Sequence, residues 1–478
     1  MRRLVKKDNE LKSTIKMKLE KNQMYLKSLI AIFILAFCSQ TYSQNWESLF
    51  NGKDLKGWKV TGGTAAYTVA EGIITGASKN EKLNTFLCTE KTYSDFILEL
   101  EIFLPNYLNS GVQFRSNTRQ EENGTRVFGY QCEVDPTPRK WTGGIYDEGR
   151  RKWIYPLSRN PKAQDAFQMA TWNTIRIEAH GNEINTFING QHAGRIVDDM
   201  TASGFIGLQV HNVKEEEVGR KVMWKNIRII TDNIQEYLTA EDPEIPQVSY
   251  LKNELTQWEK DHGFRLLWDG KTSNGWRGAK LDSFPESGWT IADGELTIEA
   301  TDGGESTGPG DIVTTKMYSD FELELEFKIT KGANSGVKYF VDPSLNKGAG
   351  SAIGCEFQIL DDKNHPDAKL GTMGNRTIGS LYDLMTAGNL STKGRSKQFK
   401  GIGEWNKALI VSKNGKVEHW LNNEKTIEYD RFSQMFEALV NYSKYQQWSN
   451  FGRWPEGAIL LQDHGNEVSF RSIKIKEL

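Results

Sequence analysis

Cysteine is scarce in this chain, with four in 478 residues. Setting aside an N-terminal leader leaves only Cys88, Cys132 and Cys355. An odd count, one or two per domain, argues against a disulfide framework. No Cys-x-x-Cys occurs, which argues against a structural zinc site. Cys132 and Cys355 fall at apolar positions of alternating runs, so both are expected as small buried hydrophobes. Excess charge is lacking too. The formal net charge is −2, which gives nucleic acid or an anionic membrane no field to follow. No apolar run is long enough to span a bilayer. The chain has no Gly-x-Ser-x-Gly elbow, P-loop or Rossmann fingerprint. Its Gly-rich loop at 303–310 is not followed by a helical pattern, which argues against a phosphate cradle.

The N-terminus reads as a targeting segment over residues 1–43. Lys27 precedes an apolar run at 28–38, and Thr41-Tyr42-Ser43 places small residues where a signal peptidase reads. Met17 or Met24 are the expected initiators. Cys38 invites a lipoprotein reading, but Phe37 is bulky where a lipobox requires a small residue. The expectation is soluble export, periplasmic or secreted, over lipidation.

What the chain has in abundance is itself. Phe50-Asn-Gly-Lys-Asp-Leu-Lys-Gly-Trp58 returns as Trp268-Asp-Gly-Lys-Thr-Ser-Asn-Gly-Trp276. Tyr93-Ser-Asp-Phe-Ile-Leu-Glu-Leu-Glu101 returns as Tyr318-Ser-Asp-Phe-Glu-Leu-Glu-Leu-Glu326. Asn109-Ser-Gly-Val112 returns as Asn334-Ser-Gly-Val337, and Trp172-Asn173 as Trp405-Asn406. The period is far too long for a solenoid, so a whole domain is duplicated. The expected domains are 44–231 and 263–478. Between them lies an acidic linker, 232–262, with Pro243 and Pro246, and Leu251, Leu255 and Trp258 at the spacing of one short helix.

Both copies alternate apolar and polar residues in short runs, as in Phe321-Glu-Leu-Glu-Leu-Glu-Phe327. Tight-turn signals such as Asn189-Gly190 and Asn414-Gly415 divide the runs. The expected fold is all-β, with two antiparallel sandwiches or jelly rolls in tandem. One region differs: 189–204 in copy one corresponds to 422–457 in copy two. The longer version carries Phe436, Tyr442, Tyr445, Trp448, Phe451 and Trp454. Copy one has Trp141, Tyr146, Trp153 and Tyr155 elsewhere. These aromatics suit either the rim of a sugar site or domain–domain packing.

Strand alternation assigns polar groups to one face. In copy two it exposes Glu356 and Gln358 opposite Cys355, Phe357 and Ile359. In copy one Gln131, Glu133 and Asp135 share a face. Gln209 with His211, and Gln462 with His464, repeat the pattern near the C-terminal ends. After Asn-Ser-Gly, Gln113 and Arg115 are expected to project together, as are Lys338 and Phe340. Tyr146-Asp147 and Tyr382-Asp383, each after a Gly-rich turn, complete the rim. The stretch from Asp361 through His365 to Asp367 adds acids and an imidazole. It is a candidate loop for a divalent metal, although it lacks EF-hand spacing.

These residues resemble the 3-keto-disaccharide hydrolase family. The resemblance rests on the opening motif at Phe50, the two Asn-Ser-Gly turns, and Gly354-Cys-Glu-Phe-Gln-Ile-Leu-Asp361. It also rests on Gly379-Ser-Leu-Tyr-Asp383, the two Trp-Asn pairs, Leu461-Gln-Asp-His464 and Phe470-Arg-Ser-Ile473. It spans nearly the whole chain after the leader, twice. It implies concanavalin-A-like jelly rolls with a sugar-related site on the concave sheet. Two departures stand out. Copy one has Gln131-Cys-Glu133 where the pattern has Glu-x-Gln, and copy two has Phe340 where the pattern has the Arg seen at Arg115. Whether both copies react, one only binds, or they share a cleft stays open at this level.

The resemblance implies cleavage of glycosides already oxidised to a ketone at carbon 3. A 3-ketone acidifies the carbon-2 hydrogen, so a base can expel the carbon-1 substituent and water can then add. The implied acid/base pairs are Glu356 with His464, aided by Asp383, and Glu133 with His211. Gln358, Lys338, Tyr382, Gln462 and Trp448 would contact substrate in copy two. Arg115, Gln131, Tyr146, Asp147 and Gln209 would do so in copy one. A divalent metal could assist as Lewis acid. Two rivals remain: a glycosidase using Glu356 with Asp383 as its carboxylate pair, and a tandem lectin without catalysis.

Overall fold

A computed structural model describes residues 46–301, 310–345, 351–392 and 394–478. The leader and most of the Gly-rich loop at 303–310 lie outside the described residues.

In each copy a front sheet and a back sheet enclose one apolar core. The copy-two front sheet runs Trp276–Gly278, Ile312–Tyr318, Gly457–Leu461, Asn334–Asp342, Ile353–Leu360. Copy one repeats that order with Trp58–Gly62, Thr85–Thr89, Phe205–Val210, Ser110–Glu121 and Gly124–Val134. It then adds Ile145–Glu148 and Lys152–Tyr155 at the edge. The fold is all-β, two jelly-roll sandwiches in tandem.

The back sheets show why the alternating runs are strands. Phe321, Leu323, Leu325 and Phe327 point inward and are buried. Glu324 and Glu326, on the opposite face, pair with Lys407 and Lys474 and with Arg471 respectively. A period of two thus separates the core from a charged outer surface. The three cysteines are buried and unbridged. Among the described residues no helix is long and apolar enough to cross a membrane.

One expectation fails at the same place in both copies. Arg115 and Phe340 sit in bulges at φ 44° and 51°, opposite Gly204 and Gly457. A Cβ at Gly457 would lie 2.6 Å from Val341 N, so the bulge requires glycine across from it. The bulge breaks the alternation, so Arg115 turns to Ser94, Gly181 and Asp95 and Phe340 into the core, and neither shares a face with Gln113 or Lys338.

The linker is threaded through the assembly. Val248–Ser249 pairs in parallel with Gln191–Val197 of copy one. The helix is only Gln257–Asp261, because the Thr256/Glu259 capping box starts it after Leu251 and Leu255. Glu259 then pairs with Lys474 of copy two. The copies also touch directly. Asn423 Nδ2 donates to Ile154 O (3.1 Å) and Tyr250 OH (3.0 Å). Arg159 lies over Trp420, and Arg395 over Trp141.

The two aromatic groups separate accordingly. Trp141 and Tyr155 serve contacts with copy two and the linker, Tyr155 OH donating to Pro246 O. In the copy-two insert, Phe436, Tyr445 and Phe451 are buried in its own core, while Tyr442 is exposed.

Candidate active site

The two front sheets hold matching polar rows. Across the sheet, Gly336 pairs with Gln358 and Lys338 with Glu356. In copy one, Gly111 pairs with Glu133 and Gln113 with Gln131. Register therefore equates Gln131 with Glu356 and Glu133 with Gln358, so the exchange of acid and amide is real. The glycine of each Asn-Ser-Gly turn has a steric purpose. A Cβ at Gly336 would lie 2.8 Å from Glu356 Cδ, and one at Gly111 would lie 2.6 Å from Gln131 Cγ. The missing side chain leaves the gap into which the neighbouring carboxylate or amide leans.

In copy two Glu356 is 3% exposed. Lys338 Nζ stands 3.9 Å from Glu356 Oε2 and gives it a counter-charge. With its amide oriented to satisfy its neighbours, Gln358 donates to Glu356 Oε1 and Ser335 O, both at 3.1 Å. Lys338 also donates to Ser351 Oγ and to Ala352 O (3.2 Å). Ser351 in turn bonds Asp311, whose carboxyl is pushed up by burial despite the nearby Lys338. Asp311 Oδ1 accepts from Asp463 N (2.9 Å), and Asp463 accepts from Gly465 N (2.9 Å). Those two bonds fix the turn that carries His464. Gln462, buried on the same strand end, donates its backbone N–H to Gly336 O (3.0 Å).

His464 Nδ1 is buried and has no hydrogen-bond partner among the described residues. His365 approaches it edge-on, ring centroids 6.0 Å apart. Burial, reinforced by His464, pushes the His365 pKa below its ordinary value. The acids of the 361–367 loop are spent on other work. Asp361 accepts from Gly332 N (2.8 Å) and Asn364 Nδ2 (2.6 Å), closing a turn. Asp367 accepts from Tyr382 OH (2.9 Å) and from Arg376 (2.9 Å). Among the described residues no three His, Cys, Asp or Glu side chains converge as a metal-ligand set.

Several candidates are placed elsewhere than expected. Asp383 is held by Arg376 Nε (2.8 Å) and Lys444 N (3.1 Å), a structural clasp rather than a second acid facing Glu356. Asp147 is likewise clamped by Arg150 (2.7 Å) and Arg151 (2.5 Å). The bulge turns Arg115 away from Glu133. Its guanidinium donates to Ser94 O (2.7 Å), Gly181 O (2.8 Å) and Asp95 (2.9 Å), tying front sheet to back. Trp448 packs on the edge of the core and lines a separate cavity of 210 Å³ within the insert.

Copy one assembles a chain of amides. Ser116 Oγ donates to Gln113 (2.5 Å), Gln113 to Gln131 (2.8 Å), and Gln131 to Glu133 Oε2 (2.7 Å). Asn109 Nδ2 closes the chain on Glu133 Oε1 (2.6 Å). Burial pushes the Glu133 carboxyl up to about 7, against those two amide bonds and with help from Asp135 and Glu148. His211 lines a 690 Å³ cavity together with Asn109. Its Nδ1 donates to Asn212 O (2.5 Å), and burial lowers its pKa. Asn109 therefore stands between Glu133 and the cavity. Tyr146 packs edge-on against Trp153 (5.3 Å), and Gln209 is buried on the strand leading to His211.

Sequence reasoning missed Asp311 and Arg376. Asp311 could not be found by comparing copies, because the register places Phe86 at its counterpart. Replacing Asp311 and Lys338 by Phe86 and Gln113 removes two charges from copy one, while the carboxylate of Glu356 moves one pair along the strand to Glu133.

Comparison with known proteins follows the same division. The family model described as a 3-keto-alpha-glucoside-1,2-lyase-like domain matches residues 45–230 and 263–476. A 3-keto-disaccharide hydrolase of Bacteroides thetaiotaomicron is 38% identical over 240 residues, covering 45% of this chain and 79% of that protein. A solved Parabacteroides distasonis protein, described as a candidate glycosyl hydrolase, is 31% identical, with 48% of this chain and 100% of its own covered at a TM-score of 0.42. A carbohydrate-binding module of Bacillus subtilis is 15% identical, covering 36% of this chain and 93% of its own at a TM-score of 0.24. The chain belongs to the 3-keto-alpha-glucoside-1,2-lyase-like family, carrying its domain twice in tandem.

Proposed function

We propose that the protein is an exported hydrolase that cleaves glycosidic bonds of 3-keto-glycosides, and that copy two does the chemistry. One observation carries the assignment. Glu356 leans over the side-chain-free Gly336 with Lys338 as counter-charge, on the face that ends at His464. The apolar segment at 28–38 after Lys27 supports export.

Each group has a task. Glu356 takes the proton from carbon 2, whose acidity the neighbouring ketone raises. The electron pair passes to the ketone oxygen as an enolate, which the Lys338 ammonium faces. The enolate collapses to a carbon-1/carbon-2 double bond as the carbon-1 oxygen leaves. His464 protonates that oxygen through its unpartnered nitrogen. His365, held neutral by burial, does not repel a protonated His464. Water then adds to carbon 1, and a proton returns to carbon 2. The sum is hydrolysis. The Asp367–Arg376–Asp383 clasp holds Tyr382 against this site.

The test is to run the reaction in D2O. Elimination followed by hydration leaves deuterium at carbon 2 of the released 3-keto sugar, above the exchange of free 3-keto sugar alone. Protium retained at carbon 2, together with an unchanged rate for substrate deuterated at carbon 2, means direct glycosidic hydrolysis and rejects the mechanism.

A further inference from the structure

Copy one has lost the counterparts of Asp311 and Lys338, holds its carboxylate at Glu133 behind Asn109, and keeps a groove. We propose that this groove is a binding site for a neutral oligosaccharide longer than a disaccharide, which copy one holds without cleaving. The proposal rests on the reading that copy two carries the chemistry.

The groove has two chambers. The 690 Å³ chamber contains His211 and Asn109, and the adjoining one of 310 Å³ contains Asp135, Thr142 and Phe167. Tyr107, Pro136 and Thr137 line both, so the chambers meet at that ridge. The larger alone falls within the usual range of small-ligand pockets, about 300–1,000 Å³. The smaller extends the space beyond one short ligand.

The lining suits a ligand with many hydroxyls and no charge. The carboxylates of the larger chamber are already engaged. Thr64 and Thr85 donate to Glu81, Asn80 to Glu215, and Arg220 to Glu217. The lining carries both signs, Lys214 and Arg220 against Glu81, Glu215 and Glu217, so a ligand of either charge meets repulsion as well as attraction. What remains is amide, imidazole and hydroxyl, which both donate and accept. Thr142 Oγ1 is buried with no partner among the described residues, and so is Gln209 Oε1 two residues before His211. Buried polar atoms are nearly always satisfied, so the Thr142 hydroxyl in the second chamber is a group waiting for one. Tyr107 supplies the platform. Its side chain is 61% exposed, while its carbonyl is held by Arg220 Nη1 (2.6 Å). An exposed ring on an anchored loop can stack on the C–H face of a sugar.

Absence of cleavage follows from the amide chain. Glu133 is screened by Asn109, and both its oxygens are taken by side-chain amides. Among the described residues no second imidazole faces His211 as His365 faces His464.

The experiment uses full-length Glu356→Gln protein and unoxidised oligosaccharides, maltose through maltohexaose and cellobiose through cellohexaose, titrated by calorimetry. The probes have no 3-ketone, so their binding does not depend on the proposed chemistry. In at least one series, affinity should rise with chain length and then level off. Tyr107→Ala should weaken binding of the long members about tenfold. Thr142→Val, nearly isosteric, should remove the gain with length while leaving the disaccharide unchanged. Thermal melts of each variant confirm folding. Absence of saturable binding in both series overturns the proposal. So does affinity independent of length, or binding unaffected by Tyr107→Ala. If binding holds but 3-keto substrates are not cleaved by the wild type, the catalytic reading fails and this one stands.

Discussion

Replacing Glu133 by Gln should make the protein more stable at alkaline pH. The carboxyl titrates near 7 in the fold, against an ordinary value of 4.5. The folded state therefore holds this proton more tightly than the unfolded chain does. Stability from this group is complete below 4.5 and declines as pH rises through 7, because the folded protein must then bury the charge. The difference is on the order of 3 kcal/mol by pH 8. Glutamine removes the charge, but its NH2 would face a donor, Gln131 Nε2. The chain can reverse to accommodate it. If Gln131 and Gln113 both turn over, each amide still meets an acceptor, and the reversal ends harmlessly at Ser116. That hydroxyl can then receive from Gln113 while donating to Phe114 O, 2.9 Å away. The assay is urea denaturation of wild type and variant from pH 5 to pH 8.5. The wild type should lose about 2.5 kcal/mol relative to the variant across that range, the first half unit above 4.5 falling below its acid end. Turnover of a 3-keto disaccharide should stay within about twofold. Parallel pH profiles would refute the burial argument, and lost turnover would refute the assignment of chemistry to copy two.

Other perturbations probe other parts of the account. Gly336→Ala places a Cβ 2.8 Å from Glu356 Cδ and should displace the carboxylate. A misplaced base should lower kcat by about 10²-fold with little change in the melting curve. Arg376→Lys cannot bridge Asp367 and Asp383 as a fork does. It should raise KM and lower kcat, together about tenfold in kcat/KM, by loosening Tyr382 and the His365 loop. Arg115→Ala should leave kcat unchanged but cost about 3 kcal/mol in denaturation, because the Ser94 and Gly181 carbonyls lose their donor.

The duplication makes the fold legible in the sequence. Alternation such as Phe321 to Phe327 places core and surface by itself, since a strand has only two faces. The same rule put Glu356 with Gln358, and Gln131 with Glu133, on one face of their strands. It failed at Arg115 and Phe340, because a one-residue bulge inverts the pattern without leaving a local signature beyond the distant Gly204 and Gly457. It also could not tell a catalytic acid from a clasp. Asp383 and Asp147 look exposed in sequence, yet arginines three to seven residues away claim both. Asp311 was invisible for a different reason. Its role arises from strands brought together across the sheet, and its copy-one counterpart is the apolar Phe86.

The central claim is that Glu356 in copy two drives elimination from a 3-keto sugar. The most direct measurement compares sugar release from a 3-keto-disaccharide and from its unoxidised parent by wild type and Glu356→Gln. Release from the keto form alone is expected, with a loss of about 10²–10⁴-fold in the variant. Release from the parent, or full activity in Glu356→Gln, would contradict the claim.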